Sequence, residues 1–518
     1  MARIDARGAF VFHSGVVDGG HSLRHHCGIV GISSREEVNM PELLFYGLFS
    51  LQHRGQESAG LAYRGQGKIK SYRSVGMVST ALSHYLSESH PSRLGIGHVR
   101  YSTHGTNKLE NAQPIVVSCS KGEISLAHNG NISNSELLQQ RLISEGSIFQ
   151  STTDTELLLH MIARSRQSSF RDALVECLGL IEGAYCFLLM HEDKLYAVRD
   201  PYGFRPLVMG SRDGQVMFAS ETCALAMFQA GDIREVEPGE MVTVEGTRIT
   251  SERLPAPREP AHPRSPGTQQ NPPTARSTVQ GTGVPVRGIP RTAAQPRRAH
   301  CIFELIYFAR PDSEVFGRTV HMARKKMGEM LARSDSVAAD IVIAVPDSGT
   351  SAALGYSHAS GIPLEQGLTR NHYMGRTFIQ PTPAMREAGV RMKLHPVREA
   401  IAGKRVIVID DSLVRGTTSR QIVKLLREAG AREVHLRLCS PPVRYPCFYG
   451  IDIPTHEELI SNRLDPDGIA REIEADSVRF LSLESLWQCV PNPEDFCHAC
   501  FSGEYPTPVR DAPVSKKC

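Results

Sequence analysis

No apolar run in these 518 residues approaches the roughly 18 that a membrane-spanning helix needs, so the chain is expected to be soluble, cytoplasmic and without a membrane partner. Cysteine is sparse, twelve in all, too few for a disulfide scaffold. Strong charge of one sign is missing too. The net charge is +3, and residues 255–298 hold seven Arg against one acidic residue, so that segment carries +6 and the remainder −3. Neither part is built to bind nucleic acid. The opening "MARIDARGAFVFHSGVVDGGHSLRHH" has only a short apolar patch, Ala9 to Phe12, too brief for the core of a secretory signal.

What is present points to two large domains, since the chain is too long for one ordinary core. From Cys27 to about residue 250 short β-type runs dominate: "CGIVGIS", "LGIGHVRYS", "ISLAHNG", "AYCFLLMHEDKLYAVRD", "QVMFAS" and "GEMVTV". Helical patterns intervene, as in "TDTELLLHMIARS", where Thr153 can cap and Glu156 follows three residues on, as in a capping box. This reads as an α+β domain rich in antiparallel sheet, 27–254. Residues 255–298 hold ten Pro and few apolar residues, a composition expected to stay disordered. After that, 299–518 changes to strand, loop, helix. "ADIVIAVPDSGTSAALGYS" and "KRVIVIDDSLVRGTTSRQIVKLLREAGAREVHLRL" are apolar strands feeding polar turns and helices, the pattern of a doubly wound α/β domain with a parallel sheet.

In "VIVIDDSLVRGTTSRQIV" the strand ends in Asp410 and Asp411, and Ser412 leads to Arg415-Gly416-Thr417-Thr418 at a helix start. Such a turn offers unpaired N–H groups and a positive dipole end to a phosphate. The two acids stand where ribose hydroxyls or Mg²⁺ need oxygen ligands. No Gly-Lys-Ser/Thr occurs here, so this is not a Walker loop. The stretch resembles the phosphoribosyl pyrophosphate (PRPP) motif of type I phosphoribosyltransferases. That resemblance implies that the acid pair contacts ribose and metal and that the loop holds the 5′-phosphate. "VPDSGTS" at 345–351 resembles the pyrophosphate-side loop, with Ser348 as the metal-linked residue, and "GRTFIQP" at 375–381, with Arg376, resembles the mobile loop that closes over PRPP. His372 stands where relatives carry Arg.

Cys27 alone, at the start of a strand, reads more readily as a small buried hydrophobe than as a nucleophile. Four segments in order change that: "LQHRGQESAG" (51–60), "GHVRYSTHG" (97–105), "LAHNGNISN" (126–134) and "STTDTEL" (151–157). Together they resemble the N-terminal-nucleophile glutamine amidotransferases, which implies a four-layer αββα glutaminase, two sheets sandwiched between helices. Cleaving a carboxamide needs a soft nucleophile, a base and oxyanion donors. The resemblance assigns attack to Cys27, the base to its own α-amino group, the oxyanion hole to Asn129 and Gly130, and the grip on the glutamine α-carboxylate and α-ammonium to Arg100 and Asp154. His98 and His128 are read as structural. A free α-amino group requires residues 1–26 to be a propeptide cleaved after His26.

Cys497 and Cys500 form a C-x-x-C pair that Cys301 and Cys447 could complete, and four thiolates suit tetrahedral zinc and a cubane cluster alike. The contexts of these cysteines resemble the amidophosphoribosyltransferases that carry a [4Fe–4S] cluster, which implies that all four are cluster ligands. The remaining cysteines, Cys119, Cys177, Cys186, Cys223, Cys439, Cys489 and Cys518, receive no role. That family resemblance spans Cys27 to about Pro506. It implies glutamine hydrolysis, internal passage of ammonia and amination of PRPP with Mg²⁺, in a tetramer inhibited by purine nucleotides. The alternatives are a non-catalytic PRPP-sensing regulator, a different amidotransferase such as glucosamine-6-phosphate synthase or asparagine synthetase, and an enzyme confined to free ammonia.

Overall fold

Apolar runs without strict alternation are expected wherever both faces of a strand are covered. In the computed structural model, which describes residues 27–87, 89–101, 108–255, 297–371, 393–453 and 455–508 and the backbone of 3–4 and 10–11, that is the condition of nearly every such run. The rest of the leader, almost all of the 255–298 segment, Cys518, His372 and Arg376 lie outside the described residues.

The first half holds two antiparallel sheets. One has seven strands in the order Gly231–Glu235, Val208–Arg212, Gln215–Ala219, Gly28–Asn39, Pro91–Arg100, Ser58–Gly65 and Lys68–Val75. The other has six, in the order Arg248–Arg253, Glu240–Glu245, Lys194–Arg199, Gly183–His191, Gly122–Ile132 and Ile115–Cys119. Ile29, Ile96, Ala127, Leu188, Leu195 and Phe218 fill the space between them. On the outer face of the larger sheet, Val30, Ile32 and Val99 pack against Leu44 and Leu48 of the helix Met40–Ser50. On the outer face of the smaller sheet, Tyr185, Phe187 and Leu189 pack against Leu158, Ile162 and Leu174, from the helices Thr155–Arg164 and Phe170–Leu178. Alternate residues of "AYCFLLMH" thus serve two cores, and each fully buried side chain contributes about 1.5–3 kcal/mol. The layers run helix, sheet, sheet, helix.

The second half is built on a parallel sheet in the order Ile341–Ala344, Arg405–Asp410, Glu433–Leu438 and Ser477–Phe480. Val406 and Val408 face one core, with Ile422 and Leu426 of the helix Thr417–Glu428. Ile407 and Ile409 face the other, with Met327 and Ala353 of the helices Val320–Arg333 and Thr350–Ser360. Helices on both faces make the sheet doubly wound, as the continuous Val and Ile run requires.

The capping-box reading at Thr153 does not hold. Asp154 is the residue before the helix Thr155–Arg164, and no side chain caps it. Glu156 instead folds back to accept the N–H groups of Gln150 (2.9 Å) and Ser151 (2.7 Å), so it braces the preceding loop. Among the described residues no helix is long and apolar enough to cross a membrane.

Where the halves meet, charged side chains are sealed from water. Arg54, Arg205, Glu221 and Glu304 are all within 1% of full burial. Arg54 Nη1 donates to Glu221 Oε1 at 2.6 Å, and Arg205 Nη1 lies 3.3 Å from Glu304 Oε1. The charges balance, but removing one partner from such a buried set typically costs about 3–5 kcal/mol.

Candidate active sites and a thiol group

Cys27 stands directly before the strand Gly28–Asn39, with Sγ 3.7 Å from the carbonyl oxygen of Tyr101. Burial raises its thiol pKa; the nearby Arg100 opposes that shift, while Asp154 and Glu57 reinforce it. One cation and two anions therefore act on a single sulfur. Arg100 ends the strand Pro91–Arg100, is buried, and lies 3.8 Å from Glu57. Asp154 is buried too, and its Oδ2 accepts the N–H of Ile132 at 2.8 Å. Neither is a surface ion pair. Both His98 and His128 are buried; His98 Nε2 donates to the His128 carbonyl at 3.0 Å, and burial lowers the His98 pKa to about 3.

Asn129 and Gly130 sit near the end of the strand Gly122–Ile132. Among the described residues the Asn129 Oδ1 is buried without a partner, and its Nδ2 reaches only Ser220 Oγ, at 3.4 Å. A buried amide left this poorly satisfied is costly unless a ligand completes it. Ser220 Oγ also accepts the N–H of Ile29 at 3.0 Å, which ties Asn129 to the strand that carries Cys27. Gly130 has φ +156, and a Cβ there would stand 2.0 Å from the Ala184 oxygen, so no side chain fits.

In the other half the strand Arg405–Asp410 delivers Asp410 and Asp411, both largely buried, to its C-terminal end. Burial first, then the neighbouring Asp411 charge, pushes the Asp410 carboxyl well above the usual carboxylate range. Burial likewise raises Asp411, against hydrogen bonds from Ser348 and Ser412 and the charge of Arg324. Ser348 Oγ donates to Asp411 Oδ2 and Ser412 Oγ to Oδ1, each at 2.5 Å. The two loops meet because Gly349 packs onto the strand: a Cβ there would lie 2.4 Å from the Ile409 oxygen. Gly416, at φ +82, precedes the helix Thr417–Glu428, whose start has no side-chain cap, and Arg415 pairs with Glu458 at 2.7 Å. Thr417 and Thr418 are the first residues of that helix.

Cys301 and Cys497 are register partners in a two-residue parallel ladder, His300–Cys301 with Phe496–Cys497. The Cys500 oxygen accepts the N–H groups of Arg444 (2.9 Å) and Tyr445 (3.1 Å), bringing the Cys447 loop alongside, and the Tyr449 N–H points to Cys447 Sγ at 3.4 Å. Burial raises all four thiol pKa values; the charges of Cys301, Cys447 and Cys497 push Cys500 further, and Arg205 opposes the rise at Cys301, Cys447 and Cys497. Among the described residues no three His, Cys, Asp or Glu side chains are arranged to hold a single metal ion.

Residues 98–227 match the glutamine amidotransferase domain family. The chain is 43% identical over 493 residues to an amidophosphoribosyltransferase of Bacillus subtilis, covering 94% of this chain and 95% of that one. It is 45% identical to the chloroplastic amidophosphoribosyltransferase 1 of Arabidopsis thaliana, covering 95% and 81%. The chain belongs to the amidophosphoribosyltransferase family. Among solved structures, the B. subtilis glutamine PRPP amidotransferase complexed with ADP and GMP superposes with a TM-score of 0.79 at 43% identity, covering 93% and 98%. One described as the allosteric regulatory enzyme of purine biosynthesis gives 0.81 at 43% identity, covering 93% and 97%.

Several residues at the two sites carry no signal in the sequence. Arg54 lies inside "LQHRGQESAG", yet nothing local announces that its Nε donates to the Cys27 carbonyl at 3.1 Å. Ser220, Glu221, Glu304 and Arg324 have no motif at all. The described residues bring Cys27, Arg100 and Asp154 together in one half and Ser348, Asp410, Asp411 and Ser412 in the other. Arg376 is not among them.

Proposed function

We propose that Cys27 is the glutaminase nucleophile of this enzyme and that the acid pair Asp410–Asp411 with the loops at 345–351 and 412–418 forms its PRPP site. The reaction is glutamine-dependent amination of PRPP to 5-phosphoribosylamine, glutamate and pyrophosphate, which opens purine synthesis. The observation that carries the assignment is the register of Gly28 with Val99, which brings Cys27 to the strand end bearing Arg100, together with the hydrogen bond that ties Asp154 to Ile132 beside Asn129 and Gly130. Arg100 and Asp154 offer the α-carboxylate and α-ammonium of an amino acid their counter-charges while its carboxamide reaches Cys27. The thiolate attacks that carbon, Asn129 and Gly130 stabilise the oxyanion, ammonia leaves with the transferred proton, and water cleaves the thioester to glutamate. In the second half ammonia attacks the anomeric carbon of PRPP and pyrophosphate departs.

Burial raises the pKa of the Cys27 thiol, so it needs a base, and its own α-amino group titrates at about 7.7–8.0 when free. Removal of residues 1–26 is therefore part of the proposal. Glutamine-supported pyrophosphate release, measured on protein whose N-terminus has been sequenced, tests it. Activity is expected to track the fraction beginning at Cys27, and full activity with Met1 or Ala2 attached would refute it.

Asp410, Asp411 and Ser348 fit Mg²⁺. Two carboxyls are held at one strand end with their pKa values raised by burial, and a hard cation relieves that mutual repulsion. The bound ion would neutralise the departing pyrophosphate. Cys301, Cys447, Cys497 and Cys500 fit a [4Fe–4S] cluster, which accepts four thiolates that burial otherwise disfavours, with Arg205 supplying positive charge beside them. Anaerobically purified protein is expected to be brown with about four iron per chain; stoichiometric zinc without iron would overturn the cluster. Inhibition by purine nucleotides, a tetrameric assembly and cytoplasmic residence belong to the same proposal; the B. subtilis relative solved with ADP and GMP supports the first.

A further inference from the structure

We propose that Glu304, a carboxylate of the phosphoribosyltransferase half, is a positioning residue for the glutaminase nucleophile and acts through Arg54. The inference rests on Cys27 being that nucleophile. Arg54 Nε donates to the Cys27 carbonyl at 3.1 Å, while Nη2 donates to Glu304 Oε1 at 2.8 Å and Nη1 to Glu304 Oε2 at 3.0 Å. A guanidinium is planar and its donors have a fixed fork geometry. Glu221 holds Nη1 as well, at 2.6 Å, but only Glu304 grips both terminal nitrogens with one carboxylate, which sets the plane and so where Nε points. Holding the Cys27 carbonyl then fixes the peptide that orients both its sulfur and its nitrogen.

Glu304 is itself held from the second half. It begins a π-helical turn, Glu304–Phe308, whose Leu305, Ile306 and Phe308 are buried in the core around the helix Val320–Arg333. Arg324 of that helix clamps the turn, donating from Nε to the Leu305 oxygen at 2.9 Å and from Nη2 to the Ala309 oxygen at 2.8 Å. Glu304 Oε1 also faces Arg205 Nη1 at 3.3 Å, and Arg205 Nη2 donates to the Tyr449 oxygen at 2.6 Å. Beside it, Asn131 Nδ2 donates to the Phe448 oxygen at 2.9 Å, directly after Asn129 and Gly130. Both ends of the glutaminase site, the nucleophile and the oxyanion segment, are thus braced by residues of the other domain.

A neutralising ion pair would make the same contacts without steering Cys27, and kinetics separate the two. Glu304→Asp keeps the charge but withdraws the carboxylate by one methylene; Glu304→Gln keeps the length but loses the charge. Each is expected to lower kcat for glutamine-supported pyrophosphate release by about tenfold or more. The KM for glutamine, set by Arg100 and Asp154, and the ammonium-supported rate are expected to stay within about twofold. An equal fall with both nitrogen donors, a KM effect alone, or no effect would overturn the proposal. Glu304→Asp decides the matter should the uncharged variant not fold. Cys27→Ala run alongside separates the two readings: glutamine use surviving there refutes the nucleophile assignment, whereas its loss with unchanged Glu304 variants refutes only the positioning role.

Discussion

Cys27→Ala is expected to lower glutamine-supported pyrophosphate release by about 1,000-fold or more while ammonium-supported release stays within about threefold of wild type. The asymmetry follows from the architecture. The thiol sits at the start of a central strand of a two-sheet sandwich, whereas Asp410, Asp411 and Ser348 stand at the C-terminal strand ends of a separate parallel sheet. Removing the sulfur leaves Arg100 and Asp154 in place, so glutamine still binds but has no nucleophile. Externally supplied ammonia bypasses that half. A chain that retains its leader should behave like the variant, because an amide nitrogen accepts no proton from the thiol. Equal loss with the two nitrogen donors would show that the halves do not divide the labour this way.

Much of the fold was legible wherever residue type and period agree. The run Val406–Ile409 could only be a strand covered on both faces, and the acids after it could only stand at the strand's C-terminal end. The sandwich was less legible, since "AYCFLLMH" has no alternation to say which face meets helices and which meets a second sheet; its four layers came from resemblance. The capping box at Thr153 misled because Glu156 finds backbone donors in the preceding loop rather than at the helix start. Least legible was the buried charge network. Arg54, Arg205, Glu221 and Glu304 are spread over 250 positions, and nothing in the flanking residues marks any of them as buried. Arg54 and Glu221 meet within one domain, but Glu304 and Arg205 find each other only where the two domains close.

Asp411→Asn is expected to lower pyrophosphate release by about 100-fold or more with either nitrogen donor, while glutamate release from glutamine persists. The substitution removes the charge at a carboxylate that accepts from both Ser348 and Ser412, and an amide nitrogen cannot accept the second of those bonds. Asp410 is expected to ionise more easily in the variant, because the neighbouring Asp411 charge that raises its carboxyl is gone. The same repulsion sets a pH dependence in the wild type. Burial raises both carboxyls and the Asp411 charge raises Asp410 further, so the pair retains a proton to higher pH than isolated carboxylates do. Mg²⁺ and that proton compete for the same oxygens. As pH falls, PRPP-dependent activity should therefore be lost at a higher pH when Mg²⁺ is scarce than when it is saturating. Acid limbs that coincide at low and high Mg²⁺, together with near-normal ammonium-supported synthesis by Asp411→Asn, would show that the metal and ribose are held elsewhere.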